Sequence, residues 1–574
     1  MFWGVPFLGG LIATCLWVAY RAVLPKPLPG IPYSRNASRK LFGDVPEMMR
    51  YVLRTKRIFC WLTSLTHRHQ SPVIQAFIKP GSLPWVVVTD PHESQDILLR
   101  RTKEFDRSGF FGELIGGILP EQHIQFLSSD ARFKDNRNLI NHLMAPTFIK
   151  EVSAPEVYKS IETLIKVWQR KCDLAQGRPF EAHGDITYAA LDAIFASSFG
   201  LAEEESITIL RLDAVWNSTP DVPQNRDDPI FFPEAKIPDI FNAVLTLANS
   251  VTDTQLSPFP VLTSWVLRKL PYMRRATAIK DTYIHSKVQE CVHLINLGDD
   301  KPKSALHSVL LREKEVATKE AREPQYFKRA IADEFFGFML AGHDTEATAV
   351  SWGVKYLTDN PMSQSLLRTA LHTAFPHALN ADRAPTYQEL STSSIPYLDA
   401  TVEEILRHAN TIAFVVRQAL NDTSVLGHHI PKGTDVFLMA NGAGYLEPNI
   451  PLTPADSHSP GASTSSNKSL TGLWNDSDIH LFKPERWLNT DGSFNPQAGP
   501  QLAFGLGPRA CFGKRLALQA LKMQFALLVW EFEFGGVSEV LGGYGAVQRF
   551  AREPVRCFVR LGKVRVGGGK GEGG

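Results

Sequence analysis

Cys511 stands in the stretch FGLGPRACFG, residues 504–513, with glycines at 505, 507 and 513 and Arg509 two positions before it. A thiolate is a good ligand for iron, but it must be stabilised to exist near neutral pH. Three features of the stretch would help. Gly505, Gly507 and Gly513 let backbone amides approach a sulfur or a flat cofactor closely. Directly after Cys511, the residues Phe512, Leu516, Ala520, Met523, Leu527 and Trp530 recur at helical spacing, so the positive end of a helix points near the sulfur. Arg509 offers a planar donor for a carboxylate. The stretch reads either as a tight turn that contains a cysteine or as a loop that holds a sulfur against a metal.

Other residues with chemical potential lie upstream. AGHDT, residues 341–345, falls inside a long apolar-rich helical pattern. Ala341 and Thr345 are four apart and share a face. A threonine hydroxyl there can bond back to the carbonyl four residues before it and make room for a small molecule. A helix–helix contact built on small residues is the plain alternative. Glu404 and Arg407 in EEILR are three apart and can pair. Arg137, Arg417 and Arg486 are further cations whose plain reading is a solvated surface.

These residues need elements to hold them. Helical periodicity predicts helices over residues 156–174, 183–200, 326–359, 395–409 and 512–531, the third ending before Asn360 and Pro361. PWVVVTD, residues 84–90, reads as a strand. VLGHHIPKGTDVFLM, residues 425–439, reads as a hairpin-like pair turning at Pro431, Lys432 and Gly433. The fold class expected is mainly α with a smaller β portion, α+β, in one globular domain. Residues 451–474 are rich in Ser, Thr, Pro and Gly and read as a flexible insertion, and residues 564–574 as a Gly-rich tail.

Composition narrows the classes. With 44% hydrophobic and 21% charged residues the chain is neither mainly disordered nor fibrous. A formal charge of +2 gives no reason to expect nucleic acid as a partner. The six cysteines form no CxxC pair, which argues against a disulfide framework and a Cys-rich zinc site. Residues 2–20 carry no charge, and Arg21 and Lys26 follow them. That pattern predicts a transmembrane signal anchor over residues 1–24 with the bulk of the chain cytosolic. Residues 25–32 hold four prolines and read as a stiff hinge before a globule over residues 33–563.

FGLGPRACFG resembles the cysteine-ligand loop of the cytochrome P-450 superfamily, F-x-x-G-x-R-x-C-x-G, at every fixed position. AGHDT resembles the family's oxygen-activating motif, PYLDATVEEILR (396–407) its K helix, and KPERW (483–487) its P-E-R-F segment. RFKDNRNLINHLMAPTF (132–148) resembles the C helix, with Arg137 at the arginine of W-x-x-x-R and Phe133 in place of the tryptophan. The motifs occur in the family's order along the whole chain, in the manner of membrane-anchored eukaryotic, fungal-type members.

The resemblance implies haem b held by Cys511 as axial iron ligand, with Arg509, Arg137 and Arg417 on the propionates and Phe504, Gly505 and Gly513 shaping the loop. Asp344 and Thr345 would relay protons, and Glu404, Arg407 and Arg486 would form a buried structural network. The implied activity is a monooxygenase placing one atom of O2 in a lipophilic substrate, in secondary-metabolite tailoring. Electrons would come from NADPH through a separate NADPH-cytochrome P-450 reductase, with cytochrome b5 as a further candidate donor. The implied location is the endoplasmic reticulum membrane, single-pass. Arg132, Lys134, Lys514, Arg515 and Lys522 would form a basic docking face. Candidate substrate walls are Phe110, Phe111, Ile118, Leu119, Phe338, Ala341 and residues 412–415. The alternatives are a haem-thiolate isomerase or dehydratase, and a non-catalytic haem-binding membrane protein.

Overall fold

In a computed structural model the described residues are 14–18, 20–257, 259–454, 456 and 471–564. Six helices matter for the site. They are α1 (Ala131–Ile140), α2 (Ala154–Ala175), α3 (His183–Phe199), α4 (Arg329–Asp359), α5 (Pro396–Ala409) and α6 (Lys514–Glu531). The strands that matter are β1 (Val73–Ala76), β2 (Trp85–Val88), β3 (Phe105–Arg107), β4 (Phe414–Ala419), β5 (Asp435–Met439), β6 (Ala546–Gln548) and β7 (Arg552–Pro554). The helices predicted from periodicity are all present, within a few residues at their ends.

Local chemistry sets several boundaries. The Asp130 carboxylate accepts from the Arg132 N–H and starts α1. α4 stops at Asn360, whose N–H donates to the Tyr356 carbonyl, and Pro361 then opens the next helix. α5 begins on Pro396 and ends at Asn410, which takes the left-handed conformation at φ 45°. Gly513 caps the start of α6, directly after Cys511.

Five strands make one sheet in the order β1-β2-β5-β4-β3. Only the β2–β5 pair is parallel. Residues 425–439 do not form the hairpin expected of them. The turn falls at Leu426, at φ 47°, and Gly427, so that His428–Ile430 pairs with Thr423–Val425. The second arm is β5, which joins β2 and β4 in the main sheet. Val436, Phe437 and Leu438 are fully buried there, and their burial outweighs local hairpin closure.

Two large apolar clusters share α4. Its first part, with Ile331, Phe335, Phe336, Met339 and Leu340, packs in one of them. Its last part, with Ala347, Val350, Val354 and Leu357, packs in the other, against α2, α5 and α6. Residues 341–346 belong to neither set of buried apolar residues.

Residues 1–13 of the expected anchor lie outside the described residues. Residues 14–18 and 20–23 are helical, with Leu16, Trp17, Val18 and Tyr20 exposed. Among the described residues no helix is long and apolar enough to cross a membrane. Residues 455 and 457–470 of the expected insertion, and 565–574 of the tail, also lie outside the described residues. The edges of the insertion are anchored: Asp456 accepts from His428 at 2.8 Å, and buried Trp474 packs on Trp487 with ring centroids 4.8 Å apart.

Candidate active site

Cys511 lies where α6 meets the glycine loop. Its N–H donates to the Phe504 carbonyl at 2.7 Å, which closes the loop on itself. Gly505 and Gly507 have φ of 59° and 72°, the left-handed region that glycine takes without strain. The backbone N–H groups of Gly513 and Lys514, at the start of α6, lie near the sulfur and favour its thiolate. Burial pushes the thiol up, opposed by those two N–H groups and by the charges of Arg137 and Lys514. Cys511 is accessible yet enclosed on most sides, as a residue lining an internal cleft would be.

α4 passes the cysteine loop, its Phe338 ring stacked on Phe512 with centroids 5.8 Å apart. Thr345 Oγ1 donates to the Ala341 carbonyl at 2.8 Å, as its spacing predicts, and the helix continues unbroken. Ala341 is exposed in the middle of a helix that is otherwise largely buried, so this turn faces the cleft. His343 is buried, with its ring Nδ1 2.6 Å from the Met339 carbonyl, and burial pushes it down to about 4. Asp344 does not share the cleft with Thr345. Its carboxyl lies against Glu553 of β7 and the Ala551 N–H.

The arginines converge. Arg509 donates to the carbonyls of Ile124 and Phe126 at 3.1 and 2.9 Å and lies flat over the Phe133 ring. Arg417 is buried on β4, directly opposite Arg107 of β3 in the strand register. Burial, then the charge of Arg509, pulls Arg417 and Arg107 down, Arg417 to about 10, and the charge of Arg417 lowers Arg107 further. Arg509 is likewise down at about 10, from burial and the charge of Arg137. The Arg107 Nε has no hydrogen-bond partner. The acid that offsets Arg509, Arg417 and Arg107 is Asp106, whose carboxylate already accepts from the Ser128 N–H and hydroxyl. Arg137 stacks over the Phe512 ring at 4.7 Å.

Like charges opposite one another across strands are destabilising, so this arrangement suits a group carrying two carboxylates. The residues therefore fit haem: a sulfur under N–H donors on one side and an under-compensated cationic cluster at the edge. Arg107 did not stand out in the sequence. The signal was the alternation of FDR on a strand, which becomes meaningful only beside Arg417.

The remaining cations form the support. Glu404 is fully buried and accepts from Arg407 at 2.8 and 2.9 Å, Arg486 at 3.0 Å, the Trp487 indole at 2.9 Å and the Lys483 N–H at 2.8 Å. Burial pushes its carboxyl up, but Arg407 and His408, the latter 3.4 Å away, hold it far below the usual range. Arg407 also donates to the carbonyls of Tyr445 and Ile479, each at 2.8 Å. The Trp487 indole was not legible in KPERW as a partner.

The candidate walls divide. Phe110 packs edge-on against Trp85, Phe414 and Phe437 within 6 Å, and Leu119 is buried, so Phe110, Leu119 and Phe414 belong to the core. Phe111, Ile118, Phe338, Ala341, Ile412 and Val415 keep exposed surface.

Comparison with known proteins agrees with this geometry. The family described as Cytochrome P450 matches residues 60–446 and 474–540, and the break coincides with the Ser- and Pro-rich stretch. The chain is 36% identical to the cytochrome P450 monooxygenase TRI13 of Fusarium sporotrichioides, over 96% of this chain and 98% of that protein. It is 35% identical to the cytochrome P450 monooxygenase GME11363 of Pestalotiopsis microspora, over 96% and 98%. It is 32% identical to the cytochrome P450 monooxygenase xilC of Penicillium crustosum, over 97% and 96%. The crystal structure of the cytochrome P450DA heme domain shares the fold, with a TM-score of 0.66 at 16% identity, covering 94% of this chain and 99% of that one. The protein therefore belongs to the cytochrome P450 family, an oxygen-incorporating, haem-dependent oxidoreductase.

Proposed function

We propose that the protein inserts one atom of O2 into a lipophilic small molecule as a tailoring step of secondary metabolism, with Cys511 as the axial ligand of haem b. The observation that carries this reading is the Cys511 loop at the start of α6, with the cationic cluster of Arg107, Arg417 and Arg509 around Asp106 and with Phe338 of α4 stacked on Phe512 beside the sulfur. Bound haem with a thiolate ligand supplies the activation of O2 and the cleavage of its O–O bond.

The chain's own residues do the rest. Arg107, Arg417, Arg509 and Arg137 would hold the propionates of the bound group. Gly505 and Gly513 let the loop approach the sulfur side, and Phe504 closes it through its carbonyl. Thr345 holds a hydroxyl proton at the α4 turn, and Asp344, its neighbour in the chain with its carboxyl on Glu553, is the proton donor that must turn toward it. Glu404, Arg407 and Arg486 keep the cysteine loop in register with α5. Phe111, Ile118, Phe338, Ala341, Ile412 and Val415 exclude water and position an apolar substrate.

Electrons reach the site from NADPH through a separate NADPH-cytochrome P-450 reductase, with cytochrome b5 as a second donor. Arg132, Lys134, Lys514 and Arg515 are exposed around the cysteine side and suit an acidic partner. Lys522 is engaged with Asp399. Residues 1–24 anchor the chain in the endoplasmic reticulum membrane, residues 25–32 act as a hinge, and the catalytic domain over residues 33–563 faces the cytosol.

The test is the absorption of the reduced, CO-bound protein, in which a thiolate ligand moves the Soret band far to the red of a histidine ligand. Cys511→Ala should abolish that band. A band that stays red-shifted in the purified variant would remove Cys511 as ligand.

A further inference from the structure

Asp344, the acid beside Thr345, faces away from the cleft toward the C-terminal hairpin β6–β7. Its carboxyl meets the Glu553 carboxyl and the Ala551 N–H. Glu553 is itself buried. The Glu553 Oε2 lies 3.7 Å from the Arg549 Nε and 3.9 Å from the His183 Nε2. The other ring nitrogen of His183, Nδ1, is 3.0 Å from the Ser351 hydroxyl on the next turns of α4. The side chain of His183 is 30% accessible, that of Glu553 10%. A line of titratable groups thus runs from solvent, through the start of α3, to the residue next to Thr345.

The hairpin is fixed on this line. The Trp352 indole donates to the Arg552 carbonyl at 2.7 Å, and the Arg552 N–H donates to the Thr411 carbonyl at 2.9 Å. Arg552 also donates to the Ala409 carbonyl at 2.8 Å, tying β7 to the end of α5. The groups facing the two carboxyls are Arg549 from the hairpin and His183 from α3. One permanently charged cation is therefore shared by two acids, Glu553 buried and Asp344 partly so. Two carboxylates in contact cannot both ionise cheaply, so the pair keeps one proton between them. Burial raises both carboxyls, and the Asp344 charge raises Glu553 further while the contact with Glu553 lowers Asp344, in agreement with one proton held between them.

We propose that Glu553 and His183 are the proton supply of the active site: the Asp344–Glu553 pair stores one proton beside Thr345, and His183 refills it from solvent. This rests on the role given to Asp344 and Thr345 above, and adds the two residues behind them. When Asp344 gives its proton toward Thr345, the shared proton of the pair is spent. Glu553 then takes a proton from the His183 imidazolium and passes it to Asp344, and His183 regains one from water. Glu553 and His183 act through Asp344 and touch no reacting atom, so they are positioning residues.

The test uses the haem-loaded, full-length protein. Infrared difference spectra between acidic and alkaline buffer should show a protonated-carboxyl band that survives at neutral pH. Because one proton is shared, Asp344→Asn and Glu553→Gln should each remove the same whole component, and Glu553→Asp should restore it. A separate component should persist in both and vanish in Glu346→Gln, since burial alone pushes the Glu346 carboxyl up to about 7. With reductase and NADPH, Glu553→Gln and His183→Gln should each raise several-fold the share of oxygen released as hydrogen peroxide. The rise for His183→Gln should be largest in acidic buffer and fade in alkaline buffer, because burial lowers the His183 imidazole and only its protonated form supplies the pair. A carboxyl band unchanged in Glu553→Gln overturns the stored proton. A peroxide share unchanged in His183→Gln overturns the supply route, and this partly exposed residue remains testable if Glu553→Gln fails to bind haem. Failure of the thiolate assignment would appear instead in the CO spectrum, with the infrared result untouched.

Discussion

The Arg509 guanidinium lies 4.0 Å above the centre of the Phe133 ring, at the position where the family pattern has tryptophan. The ring serves as a platform that keeps the guanidinium plane fixed while its Nη2 donates to the Ile124 and Phe126 carbonyls. Such a contact contributes about 0.5–2 kcal/mol. Phe133→Ala should therefore speed haem loss by roughly two- to thirtyfold. Transfer of haem to an excess of apomyoglobin measures it. An unchanged transfer rate would mean that the platform adds nothing to haem retention.

Arg107 and Arg417 should act in opposite directions on the protein with and without haem. A cation whose folded pKa is lowered disfavours folding while it carries charge, which here includes all neutral and acidic pH. Arg107→Met should raise the melting temperature of the haem-free protein by a few degrees. The same change should weaken haem binding by about tenfold or more, through the loss of one charge-assisted hydrogen bond. Calorimetry on both forms checks the pair of signs. A variant less stable in the haem-free form would refute the repulsion argument.

Glu404 controls acid stability. Its folded pKa is depressed, so its contribution is complete above the ordinary glutamate range and is lost as pH falls toward the folded value. Glu404→Gln strands Arg407 and Arg486, and breaking such a buried network costs about 3–5 kcal/mol. The gap between wild type and variant should be full at neutral pH and narrow below about pH 4. Denaturant midpoints across pH give the answer, and a gap independent of pH would remove the charge explanation.

Gly507→Ala should prevent haem incorporation. A Cβ there would meet the Leu98 carbonyl, and the φ of 72° already disfavours alanine. By contrast, a Cβ at Gly513 meets nothing within 4 Å, so Gly513→Ala should be far milder. The ratio of CO-bound signal to total protein compares the two. Equal losses would show that the close approach at residue 507 is unimportant.

Thr345→Ala removes the hydroxyl at the α4 turn but leaves the helix, since the Ala341 carbonyl it occupies lies within a continuous ladder. Oxygen uptake should continue while product per NADPH falls. Product and peroxide counted in the same reaction decide it, and full coupling would place the proton donor elsewhere.

Much of the site was readable because its chemistry is local in the chain. Cys511, its glycines and the helix behind it sit within a few residues of one another, and so do Glu404 and Arg407. Periodicity located α2 to α6 because each buries a continuous stripe. What escaped was set by contacts across long stretches of sequence. Arg107 means little until β3 lies against β4, and Glu553 means little until the last hairpin folds over α4. Residues 425–439 failed as a hairpin because β5 gains more by entering the main sheet than by pairing with its neighbour. Phe110 and Leu119 looked like pocket walls, and only packing against Trp85 and the sheet separates them from Phe111 and Ile118.

The division of α4 between two apolar clusters has a consequence for how such an enzyme can diversify. Residues 331–340 are knitted into one body and residues 347–357 into another, with AGHDTE at the seam. Substitutions in the first body alter what is presented to the seam and also reach the residue beside the sulfur, because Phe338 stacks on Phe512. The buried charges of α5 go with the second body, so a change of shape in the first leaves Glu404 and Arg407 in place while it bears on the sulfur only through one aromatic stack.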